Sequence, residues 1–180
     1  MRAVAFATLI GTGLLVSPVL GLDDGAPFGF SWGPIEKIPR PSLATREGNL
    51  TLLIYHKDRL PSDELQDTDE IVLEVCNSEG LQQVIWVSRP LSDGEMHNKI
   101  KAIAEEGARR YGTASQSRQE VISWNQGRTR LRSITDTGFY RVLMTSTGPA
   151  FDSCAKEHDT VTGPPMSDHW NRHFLESGTQ

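Results

Sequence analysis

Two β-rich runs, residues 71–76 (Ile-Val-Leu-Glu-Val-Cys) and 82–87 (Gln-Gln-Val-Ile-Trp-Val), flank Asn77-Ser78-Glu79-Gly80 and constrain the fold more than any other feature. The four residues between them are turn formers, so the two runs read as an antiparallel β-hairpin. Residues 50–55, 120–124, 128–135 and 139–145 read as further strands, with Asp136-Thr137-Gly138 turning the chain between the last two. One helix is marked at both ends. Ser92 and Glu95 have the spacing of a capping box, in which each side chain satisfies an exposed amide of the first turn. Met96, Ile100, Ile103, Gly107 and Tyr111 then recur at three- and four-residue steps, and Gly112 follows as a stop signal. Gly107, with Ala104 and Ala108, lets this face approach its neighbour closely. The expected architecture is α+β: a single small domain with an antiparallel sheet of about five or six strands and one main helix packed on a face. The expected domain runs over 22–146. Beyond it, 147–180 reads as an irregular polar tail with a short helix over 167–175, where Trp170 and Phe174 share a face.

The chain opens with Arg2 as its only charge before Asp23, then an almost wholly apolar or small run to Leu20. This is the pattern of a secretory signal peptide over 1–21, with Val19 and Gly21 before the cut. The competing reading is an uncleaved membrane anchor, which Gly11, Gly13, Ser17 and Pro18 weaken. No other segment is apolar enough to span a bilayer, so no stable membrane span is expected after cleavage. The expected location is periplasmic or secreted. An oxidising compartment permits a disulfide between Cys76 and Cys154, the only two cysteines; two unpaired thiols are the alternative.

Leu22 to Pro41 is Gly- and Pro-rich, with Phe28, Phe30, Trp32 and Ile35 as aromatic and apolar anchors. Within it, Phe28-Gly29-Phe30-Ser31-Trp32-Gly33, directly after the signal peptide, resembles the opening of a family of small exported bacterial proteins that begin with an FGFxWG-like motif. The continuation is similar too: Val72-Leu73-Glu74-Val75-Cys76, then Gly80-Leu81-Gln82-Gln83-Val84-Ile85-Trp86-Val87-Ser88, then Arg110-Tyr111-Gly112 closing a helix. The resemblance covers about residues 28–114. It implies export, a bacterial origin and a compact α+β domain, and it supplies no catalytic residues. Members continue after Trp-Gly with a Glu-rich helical segment, which Pro34 and Pro39 interrupt here.

Several patterns could carry chemistry. Gly29-Phe30-Ser31-Trp32-Gly33 matches G-x-S-x-G, the nucleophile elbow of serine hydrolases. The elbow needs a buried strand before the serine and a helix after it, and neither is present. Ser31 is therefore the weakest reading, and the alternating aromatics serve as an anchor for the sheet. Cys154, His158, His169 and His173 supply four Cys/His ligands at i, i+4 spacings, enough for a tetrahedral zinc site. That site and a Cys76–Cys154 bridge exclude each other. Arg128, Arg130 and Arg132 alternate, with Arg141 on the partner strand, so the row would suit a carboxylate, a small anionic ligand or an acidic protein surface. Asp58, Asp63, Glu64, Asp67, Asp69 and Glu70 read as a solvated acidic loop without EF-hand spacing. The net charge of −5, from 18 basic and 23 acidic residues, argues against a nucleic-acid partner. The resulting expectation is an exported, non-enzymatic binding or interaction module without a cofactor; a zinc protein and a Ser31 hydrolase are the alternatives.

Overall fold

The computed structural model describes residues 25–60, 65, 67–116, 121–136 and 138–162. The signal peptide expected over 1–21, His169, His173 and the helix expected over 167–175 lie outside them. Eight strands form one antiparallel sheet: β1 (Leu43–Glu47), β2 (Leu50–His56), β3 (Thr68–Cys76), β4 (Gly80–Ser88), β5 (Ser115–Gln116), β6 (Ile122–Trp124), β7 (Thr129–Asp136) and β8 (Phe139–Thr147). Helix α1 (Asp93–Tyr111) joins β4 to β5, and α2 (Phe151–Thr162) follows β8. The strand order is β1-β2-β3-β4-β8-β7-β6-β5. Two four-stranded meanders thus meet along β4 and β8, and α1 carries the chain from one to the far edge of the other.

The hairpin forms as its sequence dictates, with Cys76 opposite Gly80. An irregularity at Glu74/Val75 accommodates one extra residue in β4, so Leu81 and Val84 reach the same face. Strand alternation then divides the residues. Ile71, Leu73, Val84, Trp86, Leu131, Val142 and Met144 face α1, which adds Met96 and Tyr111 to their cluster. Ile54, Val72, Ile85, Val87 and Leu143 form a second cluster, and by the same alternation they lie on the opposite face. Each fully buried side chain of this size contributes roughly 1.5–3 kcal/mol.

The capping box forms in full. The Glu95 amide is capped by Ser92 Oγ, and the Ser92 amide donates to Glu95 Oε2 at 2.9 Å. Hydrogen bonds from the Ser92 amide and hydroxyl, with Arg89, hold the Glu95 carboxyl down at about 2. Reciprocal bonds between Leu91 and Tyr140, at 2.8 and 2.9 Å, fix the helix start against β8.

The antiparallel α+β sheet with a long helix on one face agrees with the sequence. Two features differ. The sheet has eight strands instead of five or six, because β1 is exposed at four of its five residues and β5 has only two. Residues 151–162 are also not an irregular tail. They form α2, whose Cys154 packs with Leu50, Cys76, Phe151 and Ala155. Gln82 accepts the Ala150 amide at 2.9 Å and so ties the approach to α2 to the sheet.

The lead-in is anchored as its aromatics imply: Phe28, Phe30, Trp32 and Ile35 are half-buried against the α1-facing cluster. Gly33 pairs with Leu81 through bonds of 3.2 and 2.7 Å. This approach depends on Gly80, which has φ +71 and whose Cβ would lie 2.0 Å from the Gly33 carbonyl oxygen. Gly80→Ala is therefore expected to lower stability by more than the ~1–2 kcal/mol of left-handed strain alone. Gly138→Ala is the control, since Gly138 has φ +88 and open space around it. Urea midpoints of the two variants separate the contact from the strain; equal losses would refute the contact.

Candidate functional site

A cavity of about 280 Å³ lies between α1 and the sheet. Trp86, Trp124, Thr129 and Met144 supply its sheet side, and Ile103, Gly107 and Tyr111 its helix side. Pro27 and Phe28 from the lead-in, with Leu65, complete the wall. Lys99, Ala102, Glu106 and Arg110 complete the lining from α1, and Ala102 is exposed, so it marks the mouth.

Each wall has a local cause. The α1 stripe faces the sheet at Gly107, where the helix has no side chain to offer. A Cβ there would lie 2.6 Å from Trp124 Cε2 and 2.7 Å from Cζ2, so the indole rests directly on the helix backbone. Trp124 ends β6, and the next two residues, Asn125 and Gln126, hold left-handed φ values of +49 and +57. Phe28 holds φ +59 and tilts its ring against Trp86, with centroids 6.1 Å apart. Left-handed backbone at bulky residues is costly, and such strain gathers at binding sites.

The two tryptophans differ in their polar atoms. Trp86 Nε1 donates to Thr68 Oγ1 at 2.6 Å. Trp124 is 2% exposed, and its Nε1 has no hydrogen-bond partner among the described residues. A buried donor left unpaired costs about 1–3 kcal/mol. The rim charges are engaged: Lys99 Nζ binds Asp67 at 2.7 Å, Glu106 pairs with Arg109, and the Arg110 guanidinium lies 5.5 Å from the Tyr111 ring centre.

The other face carries the disulfide. Cys76 and Cys154 are bonded, with Cα atoms 6.1 Å apart. Asn49 Nδ2 donates to the Cys154 carbonyl at 3.2 Å, while Asn49 Oδ1 lies 3.2 Å from His158 Nδ1. The Glu79 carboxylate comes within 4.8 Å of both sulfurs. Glu74, 1% exposed, stands opposite Gln83 in the ladder. With the Gln83 amide nitrogen turned toward it, the two carboxyl oxygens lie 3.0 and 2.9 Å away. Burial pushes the Glu74 carboxyl up to about 8.

The residues singled out in the sequence fall as follows. The disulfide leaves Cys154 without a thiolate to offer zinc, and fully buried His158 is turned toward Asn49. The fourfold Cys/His set is thus not assembled among the described residues. Arg128 is outside β7, closing the turn 125–127 with helical backbone angles, so it does not continue the alternation. Arg130 and Arg132 are exposed on β7, opposite in facing to buried Leu131. Arg130 Nε donates to the Gly127 carbonyl. Arg141 is held by Asp69 at 2.5 Å and by the Ser88 carbonyl at 3.3 Å. Ser31 is exposed on the lead-in, and among the described residues no strand precedes it and β1, not a helix, follows it. The acidic segment is largely engaged. Asp67 accepts from Lys99 and Arg89, and these bonds hold its carboxyl below the usual range. Asp63 and Glu64 lie outside the described residues.

Sequence reasoning missed Trp124, Phe28 and Met144 as neighbours around one void. The signal within reach was Gly107, a glycine in the middle of an apolar helical stripe. Comparison of the chain with family models, curated proteins and solved structures finds no match.

Proposed function

We propose that this chain is an exported binding module that takes a small, mostly apolar molecule into the cavity beneath α1. One observation carries the reading: an aromatic-lined void of about 280 Å³ between α1 and the sheet. Binding sites for small molecules are concave, predominantly apolar and fitted with a few polar groups that orient the ligand, at about 300–1,000 Å³. The resemblance of the Phe28–Gly33 segment to exported proteins supports the location, and the Cys76–Cys154 bridge is compatible with it. The arginines fit this reading as surface residues: Arg130 and Arg141 already have partners within the fold.

Titration with naphthalene, a neutral two-ring probe, tests the site by calorimetry. One saturable site per chain is expected. Ala102→Trp places a large ring at the mouth from an exposed helical position and should abolish the site while leaving the thermal midpoint nearly unchanged. Absence of saturable binding, or binding unaffected by Ala102→Trp, would refute the reading.

A further inference from the structure

We propose that the chain with its bridge reduced holds a thiophilic divalent cation such as zinc on the Cys76 and Cys154 thiolates and the Glu79 carboxylate. The site is independent of the cavity. Its three ligand atoms, both sulfurs and a Glu79 carboxylate oxygen, lie within 4.8 Å of one another. Zinc holds sulfur at about 2.3 Å and carboxylate oxygen at about 2.0–2.2 Å, so ligand atoms on one ion stand less than about 4.5 Å apart. The triad is gathered almost to that spacing without an ion.

The chain brings the three together by means other than the sulfur–sulfur bond. Cys76 closes β3 and Glu79 follows after two residues, across the hairpin turn. Two intervening residues is the spacing of paired ligands in zinc fingers and ribbons. Cys154 comes from the first turn of α2. Gln82 Nε2 donates to the Glu79 carbonyl at 2.9 Å, and Gln82 Oε1 accepts the Ala150 amide at 2.9 Å. One side chain thus ties the turn to the start of α2. Asn49 makes a second tie: its Nδ2 donates to the Cys154 carbonyl at 3.2 Å, and its carbonyl accepts the Asn77 amide at 2.9 Å. These bonds hold the ligands near one another when the bridge is open.

Charge then favours a cation. Glu79 Oε2 is buried and has no hydrogen-bond partner among the described residues. A carboxylate withdrawn from water needs a counter-charge. Opening the bridge sets two thiols beside it, and their thiolates would repel it. A divalent ion answers all three anions, and soft sulfur ligands select zinc over magnesium or calcium. As the two metal–sulfur bonds form, the two thiols release two protons to solvent. The same sulfurs serve bridge and ion, so the site exists only in the reduced chain, and a fourth ligand comes from outside the triad.

The test reduces the full chain in urea with a water-soluble phosphine; each bridge consumes one phosphine and one water and yields two thiols and a phosphine oxide. The chain is then refolded without oxygen and titrated with cobalt(II), a coloured stand-in for zinc. One ion per chain is expected, with an intense thiolate-to-cobalt absorption that zinc abolishes and magnesium does not. The bridged chain should show no such absorption. Reduced Glu79→Gln should bind at least about tenfold more weakly, because even outer-shell changes cost metal sites about 10–100-fold. A second measurement needs no variant: zinc should raise the thermal midpoint of the reduced chain, or fold it outright, and leave the bridged chain unmoved. A reduced chain that neither takes cobalt nor gains stability from zinc would overturn the proposal. So would binding that Glu79→Gln leaves unchanged, or a zinc effect equal in both redox states.

Discussion

Replacing Cys76 and Cys154 together with alanine is expected to cost about 4 kcal/mol. The bridge spans 78 residues of sequence. Closing a loop of that size removes conformational freedom from the unfolded chain worth about 4–5 kcal/mol in the chain-entropy account. The native side adds less. Both cysteines are buried, at 1% and 0% exposed, so alanine leaves small voids beside Leu50 and Phe151. However, α2 and the residue before it keep their other ties, to Asn49 and Gln82. The effect should therefore act mainly on the unfolded state, and two observables follow in urea. The midpoint falls, and the slope of stability against urea rises, because an unbridged chain exposes more surface when it unfolds. Reduction of the unaltered protein should reproduce both changes. A midpoint that stays where it was would refute the account. With a total stability of about 5–15 kcal/mol for domains in general, such a loss is a large fraction of the whole.

The same bridge shows where sequence reading runs out. Features set by a few neighbouring residues were legible. Ser92 and Glu95 cap each other within one helical turn, and Asn77 to Gly80 turn the hairpin without outside help. Features set by distant partners were not. Residues 151–162 hold Asp152, Ser153, Glu157, Asp159 and Thr160, which weaken any apolar stripe. The segment packs through Cys154 to Cys76 and through Asn49, both far away in the chain. Strand β1 lies at the sheet edge with four exposed residues, so no alternation announces it. The arginine row failed at Arg128 for a local reason that spacing does not reveal. Asn125 and Gln126 in left-handed conformation turn the chain, and β7 starts one residue later. The cavity was the least legible feature, because a void is a property of many side chains that stop short of one another. Gly107 announced that something approaches the helix; only the fold identifies it as Trp124.

Glu74→Gln should make the protein more stable in mild alkali than the unaltered chain and remove a component of its pH dependence. The sign follows from the two states. Unfolded, the Glu74 carboxyl loses its proton near the ordinary 4.5; folded, burial raises it to about 8. Below 4.5 both states hold the proton, and the group leaves stability unaffected by pH. Between 4.5 and 8 the unfolded chain binds fewer protons than the folded one, so stability falls as pH rises, by as much as ~1.4 kcal/mol per unit. Above 8 both states are ionised and the loss is complete. Glutamine keeps the shape and a carbonyl for the Gln83 amide to meet across the ladder, but carries no charge to bury. Other carboxyls push the opposite way: Asp67 and Glu95 are held low by their partners, and both variants share that contribution. The difference between the two stability curves therefore isolates Glu74. It should widen steadily from pH 4.5 to 8 and then flatten; parallel curves would show that the carboxyl ionises in the fold as it does in water. Glu74 and Leu73 are adjacent on β3, and Leu73 faces the α1 side. Naphthalene binding in the cavity should thus be unchanged in Glu74→Gln wherever both proteins are folded, which separates the titration of one face from the site on the other.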